Sequence, residues 1–431
     1  MKFKIERGRE KINNNGGLVL AGAIIKDLKI EMRAGWIQVG EDKPLISNGD
    51  VIKAYVGLLC LGKTNFGDIE FYRDDKLFQK ALGISKIPSE GTMRQRFDAA
   101  DGKFDGLISE VNVRLLGKCS PGRIKISSGT YTPLDVDVSV FDNSGSEKEG
   151  VGRTYNGTDG YSPNFAYVGT RGYLLHCELR PGKQHCQKGT PEFLGKTLRL
   201  AHEAKIGGKI LVRMDSGNDS SDNVEVFRGR CDWIIKRNLR KESPDTWLEI
   251  AKASGKESRP REGKKVYIGD IFREDERIVF EVTVRDISAD GQMLMIPSLD
   301  VETFRTSLED SPEDVIELYH QHGTSEQFHS ELKGELDMER LPSGKFGTNR
   351  LILLMGMSAY NILRKMGCDL LSYARDLPIK AEMGRRRIRS VLQDIMYTAC
   401  KYVFSHNRHR IKLGCSNLWF EPFSRLYQKY A

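Results

Sequence analysis

Residues 133–141 read PLDVDVSVF, and polar and apolar side chains alternate along them. Asp135, Asp137 and Ser139 share one face of this segment, and valines occupy the other. An alternation with period two predicts a β-strand. One or both aspartates could bind a metal ion, or both could belong to an ordinary solvent-facing strand surface.

The segments that follow this strand predict the fold class. FAYVG and YLLHCEL flank the turn at 170–172 and predict a hairpin. A helix begins at Thr190-Pro191-Glu192, with proline at its first turn, and ends before Gly207-Gly208. KILVRM, residues 209–214, is typical of a buried strand. Strand, hairpin, helix and strand in this order predict an α/β fold that begins like a ribonuclease-H-like core.

The changes of pattern along the chain predict five regions. They are a helical, DNA-binding region at 1–125, the first part of the ribonuclease-H-like core at 126–242, a β-rich insertion at 243–310, the second part of the core at 311–370, and a basic helical C-terminal region at 371–431. The insertion is expected to hold three short strands, KVYIGDIF, ERIVFEVTV and QMLMIP, after a polar loop at 253–265. The Gly-rich polar stretch at 142–162 predicts a long loop.

Two short helices near residues 76–83 and 89–97 allow a helix-turn-helix. The second helix carries Arg94 and Arg96, which are candidates for contacts with DNA. Packing of three helices without DNA is the alternative interpretation.

Composition excludes several classes of protein. The chain has 431 residues, 39% hydrophobic and 29% charged, which is ordinary for a soluble globular protein. No apolar run is long enough to span a bilayer, so no membrane partner is expected. Eight cysteines without a CxxC pair indicate reduced thiols, as in a cytoplasm.

Charge is concentrated at the C-terminal end. Residues 371–431 hold 12 Lys and Arg against 4 Asp and Glu, so this segment alone carries the net charge of +8 of the whole chain. A local excess of this kind is typical of a surface that binds a polyanion, although a solvated helix face would look the same. Four arginines, Arg385, Arg386, Arg387 and Arg389, are the candidates for phosphate contacts there.

Residues 319–336, YHQHGTSEQFHSELKGEL, carry a dense set of reactive side chains. On a continuous helix, at about 100° per residue, Tyr319, His322, Glu326, His329 and Lys333 would share an arc of about 80°. Gly323 could break that helix. Glu326 taken alone could also be one of several surface glutamates.

A second carboxylate group follows the strand at 209–214. Asp215 ends this strand, where α/β folds place groups that face a ligand, although Asp219 and Asp222 compete with it for that role. Carboxylate oxygens suit Mg²⁺, with Mn²⁺ as a possible substitute. Two such ions activate an attacking oxygen and stabilise the leaving oxygen of a phosphodiester.

These residues resemble a known family. The pattern Y-x2-R-x3-E-x6-K belongs to DDE transposases of bacterial insertion sequences, in the insertion-sequence-four superfamily. Here it reads Tyr319-x2-His322-x3-Glu326-x6-Lys333, with three of four positions matched. Further stretches between about 60 and 365 are similar to the thirteen-eighty-like branch of that superfamily: LGKTNFGDIEFYRDD, IPSEGTMRQRF, LDVDVSVFDNSG, GKQHCQKGTPEFL, VRMDSGNDS and SAYNILR.

The resemblance implies a ribonuclease-H-like catalytic domain that is interrupted by a β-strand insertion. It implies that Asp137, Asp215 and Glu326 are the catalytic metal ligands, with Asp135 as the alternative to Asp137. It also implies that Tyr319 and Lys333 contact phosphates at the transposon ends. His322 replaces the family's arginine with a single-point donor that is charged only near or below pH 6.5, which weakens this one DNA contact.

The function implied is that of a DNA transposase. Such an enzyme would bind the terminal inverted repeats of its own element, cleave both ends and join the freed 3′-hydroxyls to target DNA. Its partners would be double-stranded DNA and a second copy of the chain in a synaptic complex, in a bacterial cytoplasm at the nucleoid. Two alternatives remain open: a transposase-derived DNA-binding protein without catalysis, and a ribonuclease-H-like nuclease without strand transfer.

Overall fold

The structure is a computed structural model that describes residues 1–40, 44–288, 290–373 and 384–431. Its α-helices are α1 Leu18–Asp27, α2 Ile30–Ala34, α3 Asn48–Cys60, α4 Lys76–Ala81, α5 Glu90–Ala100, α6 Asp105–Leu116, α7 Thr190–Glu203, α8 Ser221–Phe227, α9 Pro244–Ser254, α10 Pro312–His320, α11 Thr324–Ser330, α12 Phe346–Leu371, α13 Ile388–Val391 and α14 Phe420–Tyr430. In the described part of the chain, no helix combines the length and the apolar character that crossing a bilayer requires.

Three sheets contain the strands. These are β1 Ile124–Ile126, β2 Gly129–Val138, β3 Phe141–Asp142, β4 Gly152–Arg153, β5 Asp159–Tyr161, β6 Asn164–Val168, β7 Tyr173–Glu178, β8 Lys209–Met214, β9 Asp232–Lys236, β10 Lys256–Arg261, β11 Lys264–Arg273, β12 Glu276–Ile287, β13 Met293–Thr306, β14 Cys400–Ser405 and β15 Arg408–Leu413. The large sheet has the order β10-β11-β12-β13-β9-β8-β2-β6-β7, with β1 beside β2.

The α/β fold is confirmed, and β2 lies in the middle of the large sheet. It pairs antiparallel with β6 on one side and parallel with β8 on the other. β6 and β7 form the predicted hairpin, and β9 continues the sheet parallel to β8. Leu134 and Val136 of β2 are fully buried, because α7 and α8 cover that face of the sheet.

The opposite face of β6 and β7 packs against α12, a helix of 26 residues. α12 also packs against α3 and α6, so the N-terminal helices share one core with β6 and β7 of the large sheet. The region at 1–125 contains α1 to α6, and these helices do not have a core separate from that of β6, β7 and α12.

The insertion extends the large sheet instead of forming a unit beside it. The end of β13 pairs with β9, at Phe304–Lys236, Arg305–Ile235 and Thr306–Ile234. The region also begins with the helix α9 and holds four strands. The prediction of a loop at 253–265 is wrong over residues 256–261, which form β10. Every side chain of β10 is exposed. Such an edge strand is held by its backbone pairing with β11 and needs no apolar pattern.

The stretch at 142–162 is not a plain loop as predicted. β3, β4 and β5 form a small antiparallel sheet within it. Gly160 allows this pairing, because a Cβ atom there would lie 2.0 Å from the carbonyl oxygen of Phe141. Strands of two or three residues are too short to show a period in the sequence.

The C-terminal region is not entirely helical, which corrects the sequence prediction. β14 and β15 form a hairpin between α13 and α14. Its two turn residues, His406 and Asn407, both have positive φ, at 51° and 57°. This is the turn that matches the twist of paired strands, but its usual sequence signal includes glycine, which is missing here.

Candidate active site

Asp137 and Asp215 lie side by side at one edge of the large sheet. Residues 135 and 136 of β2 pair with residues 213 and 214 of the parallel strand β8. Asp137 and Asp215 occupy the next position of this register, at the carboxyl ends of both strands. Ligand sites of open α/β sheets are found at this edge. The structure therefore brings together two of the three predicted catalytic carboxylates.

The electrostatics of this pair favour a positive ion. Burial raises the pKa of Asp215, and the charge of Asp137 raises it further. Asn218 stabilises the charged form by donating a hydrogen bond of 2.7 Å from Nδ2 to Oδ1 of Asp215. Two neighbouring carboxylates oppose each other's ionisation, and a divalent cation between them would remove that cost.

Asp135 has a different environment from Asp137, although both lie on β2. Arg213 donates from Nε to Oδ1 at 2.6 Å and from Nη2 to Oδ2 at 2.8 Å. His322 donates from Nδ1 to Oδ1 at 3.0 Å. All three side chains are buried. Burial opposes the charge of Asp135, but Arg213 and His322 outweigh it and lower the pKa of the carboxyl. Both oxygens of Asp135 are thus already used by protein donors.

The helix that carries Glu326, α11, contacts Asp137 through His329. Glu326 is exposed on α11, and its carboxylate has no hydrogen-bond or ion-pair partner among the described residues. One turn later, the buried ring of His329 places Nε2 3.3 Å from Oδ2 of Asp137. The Nδ1 atom of the same ring lies 3.3 Å from the hydroxyl of Tyr167.

Residues 319–336 do not form the one continuous helix that a shared arc requires, and the break lies at Gly323, where the sequence allowed it. A 3-10 turn at Gln321–Gly323 joins α10 to α11, and a π-helix follows at Glu331–Glu335. His322 and His329 are buried while Glu326 is exposed, so the reactive side chains do not share one arc. In the part of the chain that the structure describes, no three His, Cys, Asp or Glu side chains lie close enough together to hold a metal ion.

Comparison with known proteins shows the family. Residues 2–413 match the family described as "Transposase DDE domain group 1". The chain belongs to this family of DDE transposases. No curated protein matches the sequence. A similar solved structure is titled "Cryo-EM structure of piggyBac transposase synaptic complex with hairpin DNA (SNHP)", with 12% identity, a TM-score of 0.42, and coverage of 89% of this chain and 80% of that chain.

Two residues close to the aspartates of β2 and to Asp215 were not predicted from the sequence. Arg213 interrupts the apolar strand KILVRM, and a charged residue inside a buried strand was the signal for a buried partner. Tyr155 lies in the turn that joins β4 to β5, and burial and then the charges of Asp137 and Asp215 raise the pKa of its hydroxyl. No sequence signal places Tyr155 there, because its position depends on the pairing of β4 with β5.

The residues of the family pattern besides Glu326 hold the site together. The ring of Tyr319 packs 4.7 Å from that of Phe304 and 5.7 Å from that of His322. Lys333 donates to the carbonyl oxygen of Val140 at 2.6 Å, just beyond β2. His322 is buried and its Nδ1 donates to Asp135, and its contact with DNA stays a prediction.

Most of the arginines at 385–389 make ion pairs or aromatic contacts within the protein. Arg385 pairs with Glu331 and Gln327, and Arg387 pairs with Glu335. Arg386 is buried with its guanidinium 4.9 Å from the ring of Trp419. The side chain of Arg389 alone among them is exposed without a partner in the described ranges. Arg375 and Lys380, also counted in the basic segment, lie outside the described residues.

The candidate DNA contacts of the N-terminal region are also engaged. Arg94 pairs with Glu90 one turn earlier on α5, and its guanidinium lies 5.3 Å from the ring of Phe66. Arg96 donates to the carbonyl oxygen of Ile46 and to Asn48. Neither contact tests DNA binding, which stays a prediction for both arginines.

Proposed function

We propose that this DDE transposase binds the terminal inverted repeats of its own element, cleaves both ends and joins the 3′-hydroxyls to target DNA. The observation that carries the proposal is that Asp137 and Asp215 lie close together at the carboxyl ends of the adjacent parallel strands β2 and β8. Double-stranded DNA is the substrate, and two copies of the chain hold the two ends. The bacterial nucleoid is the expected place of action.

The strand order supports a ribonuclease-H-like catalytic core. β7, β6 and β2 form an antiparallel unit, and β8 and β9 add to β2 in parallel. The insertion then continues from β9 through β13. This arrangement matches the fold that the family resemblance implies.

The metal ligands in this proposal are Asp137, Asp215 and Glu326, with Mg²⁺ as the ion and Mn²⁺ as a substitute. Asp135 is not among them, because Arg213 and His322 occupy both of its oxygens. DDE transposases generally use divalent metal ions. Bound there, such ions supply activation of a water or 3′-hydroxyl and stabilisation of the leaving oxygen. Glu326, exposed and unpaired on α11, is the available third carboxylate.

The network around Asp135 positions these ligands. Arg213 joins Asp135 of β2 to the carbonyl oxygen of Leu318 in α10, at 2.6 Å. His322 adds a second connection from the turn after α10. We assign His322 this positioning role, while Tyr319 and Lys333 remain the proposed neighbours of the DNA backbone. The network fixes the glutamate helix relative to the strand that bears Asp137.

Metal removal tests the proposed chemistry. A supercoiled plasmid that carries the element's two ends is incubated with the protein and Mg²⁺, or with EDTA. We expect cuts at the ends with Mg²⁺ and none with EDTA. Joined products in the Mg²⁺ reaction would distinguish transposition from simple nuclease action. Specific binding of the ends without cleavage in Mg²⁺ or Mn²⁺ would contradict the proposal and favour a non-catalytic DNA-binding protein.

The role of Glu326 has its own test. Glu326→Gln keeps the shape of an exposed side chain but removes its charge, so we expect loss of cleavage with unchanged folding and end binding. Glu317→Gln is the matched control, since Glu317 is also an exposed glutamate and lies on the preceding helix α10. Cleavage by Glu326→Gln at the rate of this control would remove Glu326 from the site.

A further inference from the structure

The hairpin β14–β15 presents a one-sided cationic surface. Opposite residues of an antiparallel pair point to the same face. The pairs Lys401–Lys412, Val403–Arg410 and Ser405–Arg408 therefore share one face. Residues 400–413, CKYVFSHNRHRIKL, contain four Lys and Arg and no acid. We call these four side chains, Lys401, Arg408, Arg410 and Lys412, the ribbon cations.

Folding does not account for this concentration of charge. Arg408, Arg410 and Lys412 are exposed and form no ion pair among the described residues, and Lys412 reaches Glu10 only as a weaker charge behind Lys401. Lys401 and Lys412 lie directly opposite each other, an arrangement that destabilises a sheet. Only Lys401 is neutralised, by Glu10 at 2.7 Å. The arginines at 385 and 387, in contrast, are paired with glutamates of the π-helix.

The other face of the hairpin anchors it to the protein. Cys400 is buried, and Ile411 and Leu413 pack against the large core. Cys400 and Asn13 exchange two backbone hydrogen bonds of 2.8 Å. The base is therefore fixed, while the turn at 406–407 and the cationic face are exposed.

Further positive charge surrounds the base of the hairpin. A cavity of about 930 Å³ beside it is lined by Arg410 and Lys412 together with Lys26, Lys29 and Lys80. Asp27, which also lines this cavity, is paired with Lys118. The N-terminal segment at 1–11, which is exposed, holds five Lys and Arg against two Glu and leads to Asn13 at the hairpin base.

We propose that the hairpin β14–β15 inserts as a two-stranded ribbon into the major groove of duplex DNA, with the ribbon cations on its phosphates. The major groove admits a two-stranded ribbon, and a cationic face complements the phosphate backbone. This inference rests on the proposed function and assigns it a second DNA-binding element outside the catalytic edge of the sheet. The ligand that fits this surface is a polyanion with regularly spaced charges. Duplex DNA is such a polyanion, and it is the substrate in the proposed function.

The test compares a triple variant with a matched control. Arg408→Gln/Arg410→Gln/Lys412→Gln removes three exposed ribbon cations, and Lys205→Gln/Lys241→Gln/Lys252→Gln removes three exposed lysines elsewhere. Binding of an inverted-repeat duplex is measured from 50 to 300 mM salt. Each lost phosphate contact makes the negative slope of log K against log salt shallower by about 0.9, so we expect the slope of the ribbon variant to be shallower by up to about 3. At 0.1 M salt, we expect its DNA affinity to fall between about 10-fold and 500-fold.

A second readout locates the groove. Methylation of guanine N7 blocks the major groove, so we expect it to interfere with binding of the wild type and not with the residual binding of the ribbon variant. Circular dichroism and the melting temperature of the variant should match those of the control. The ribbon inference alone would be overturned if the wild type binds and cleaves but the ribbon variant has the same salt slope and the same DNA affinity as the control. A wild type that binds no duplex would overturn the proposed function as well.

Discussion

Asp137→Asn and Asp215→Asn are each expected to abolish end cleavage while leaving end binding intact. Each substitution removes a charge that a divalent ion needs and preserves the size of the side chain. Loss of a group that merely supports a metal ligand typically costs roughly 10- to 100-fold in activity, so loss of a ligand should cost more than about 100-fold. Cleavage is measured with the plasmid that carries both ends, and binding with an end duplex.

Asp222→Asn is the matched control for both variants. Asp222 is exposed on α8, a few residues beyond Asp215, and competes with it in the sequence pattern. We expect its activity to equal that of the wild type. A low activity of Asp222→Asn with normal activity of Asp215→Asn would move the second ligand to α8. Asp219 is not a suitable control, because it is buried and paired with Arg305.

The second large effect concerns stability and a fully buried ion pair. Arg364 of α12 donates to Glu331 at 2.7 Å, and both side chains have 0% exposure. Glu331 also accepts from Arg385 and from the backbone N–H of Ile388 at 3.0 Å. Arg364→Met would remove the fully buried partner of a fully buried carboxylate, and breaking such a pair typically costs about 3–5 kcal/mol. Urea unfolding, followed by circular dichroism, measures the loss.

An exposed ion pair provides the comparison for this prediction. Arg94→Met removes the partner of Glu90 at the protein surface, where such pairs contribute about 0.2–1 kcal/mol. The double variant Glu331→Gln/Arg364→Met should be more stable than Arg364→Met, because neither charge of the fully buried pair is left, while Arg385 keeps its hydrogen bond to Gln327. A free energy of unfolding for Arg364→Met that equals the value for Arg94→Met would show that Glu331 is not held as the structure places it.

Local sequence patterns were sufficient to predict the two strands that position Asp137 and Asp215. The alternation of residues 133–141 predicted β2, and the apolar run before Asp215 predicted β8. The two strands also carry their carboxylates at their ends, so side-by-side placement follows once the strands are parallel neighbours. The hairpin β6–β7 and the helix α7 were predicted for the same reason, since each depends on neighbouring residues.

Contacts between distant segments could not be predicted in this way. Arg213 reaches Asp135 across 78 positions, and His322 reaches it across 187. The alternation of the strand alone does not distinguish Asp135 from Asp137, and the preference for Asp137 came only from the family resemblance. The continuation of the sheet into the insertion likewise depends on the pairing of β13 with β9, about 70 residues apart in sequence.

The angular positions of the side chains around Glu326 differ from those of a regular helix for a local reason. A 3-10 turn and a π-helix change the number of residues per turn on either side of α11. The angular positions of His322, Glu326 and His329 therefore depart from those of a regular helix. His329 reaches Asp137, while Glu326 stays exposed.

The most direct test of the account is a change of metal preference at Asp215. A thiolate is a softer ligand than a carboxylate and suits Mg²⁺ poorly. We predict that Asp215→Cys does not cleave the transposon ends in Mg²⁺ and recovers part of the activity in Mn²⁺, whereas Asp215→Ala is inactive with both ions. Cleavage by Asp215→Cys in Mg²⁺ at the rate of the wild type would show that Asp215 holds no catalytic metal.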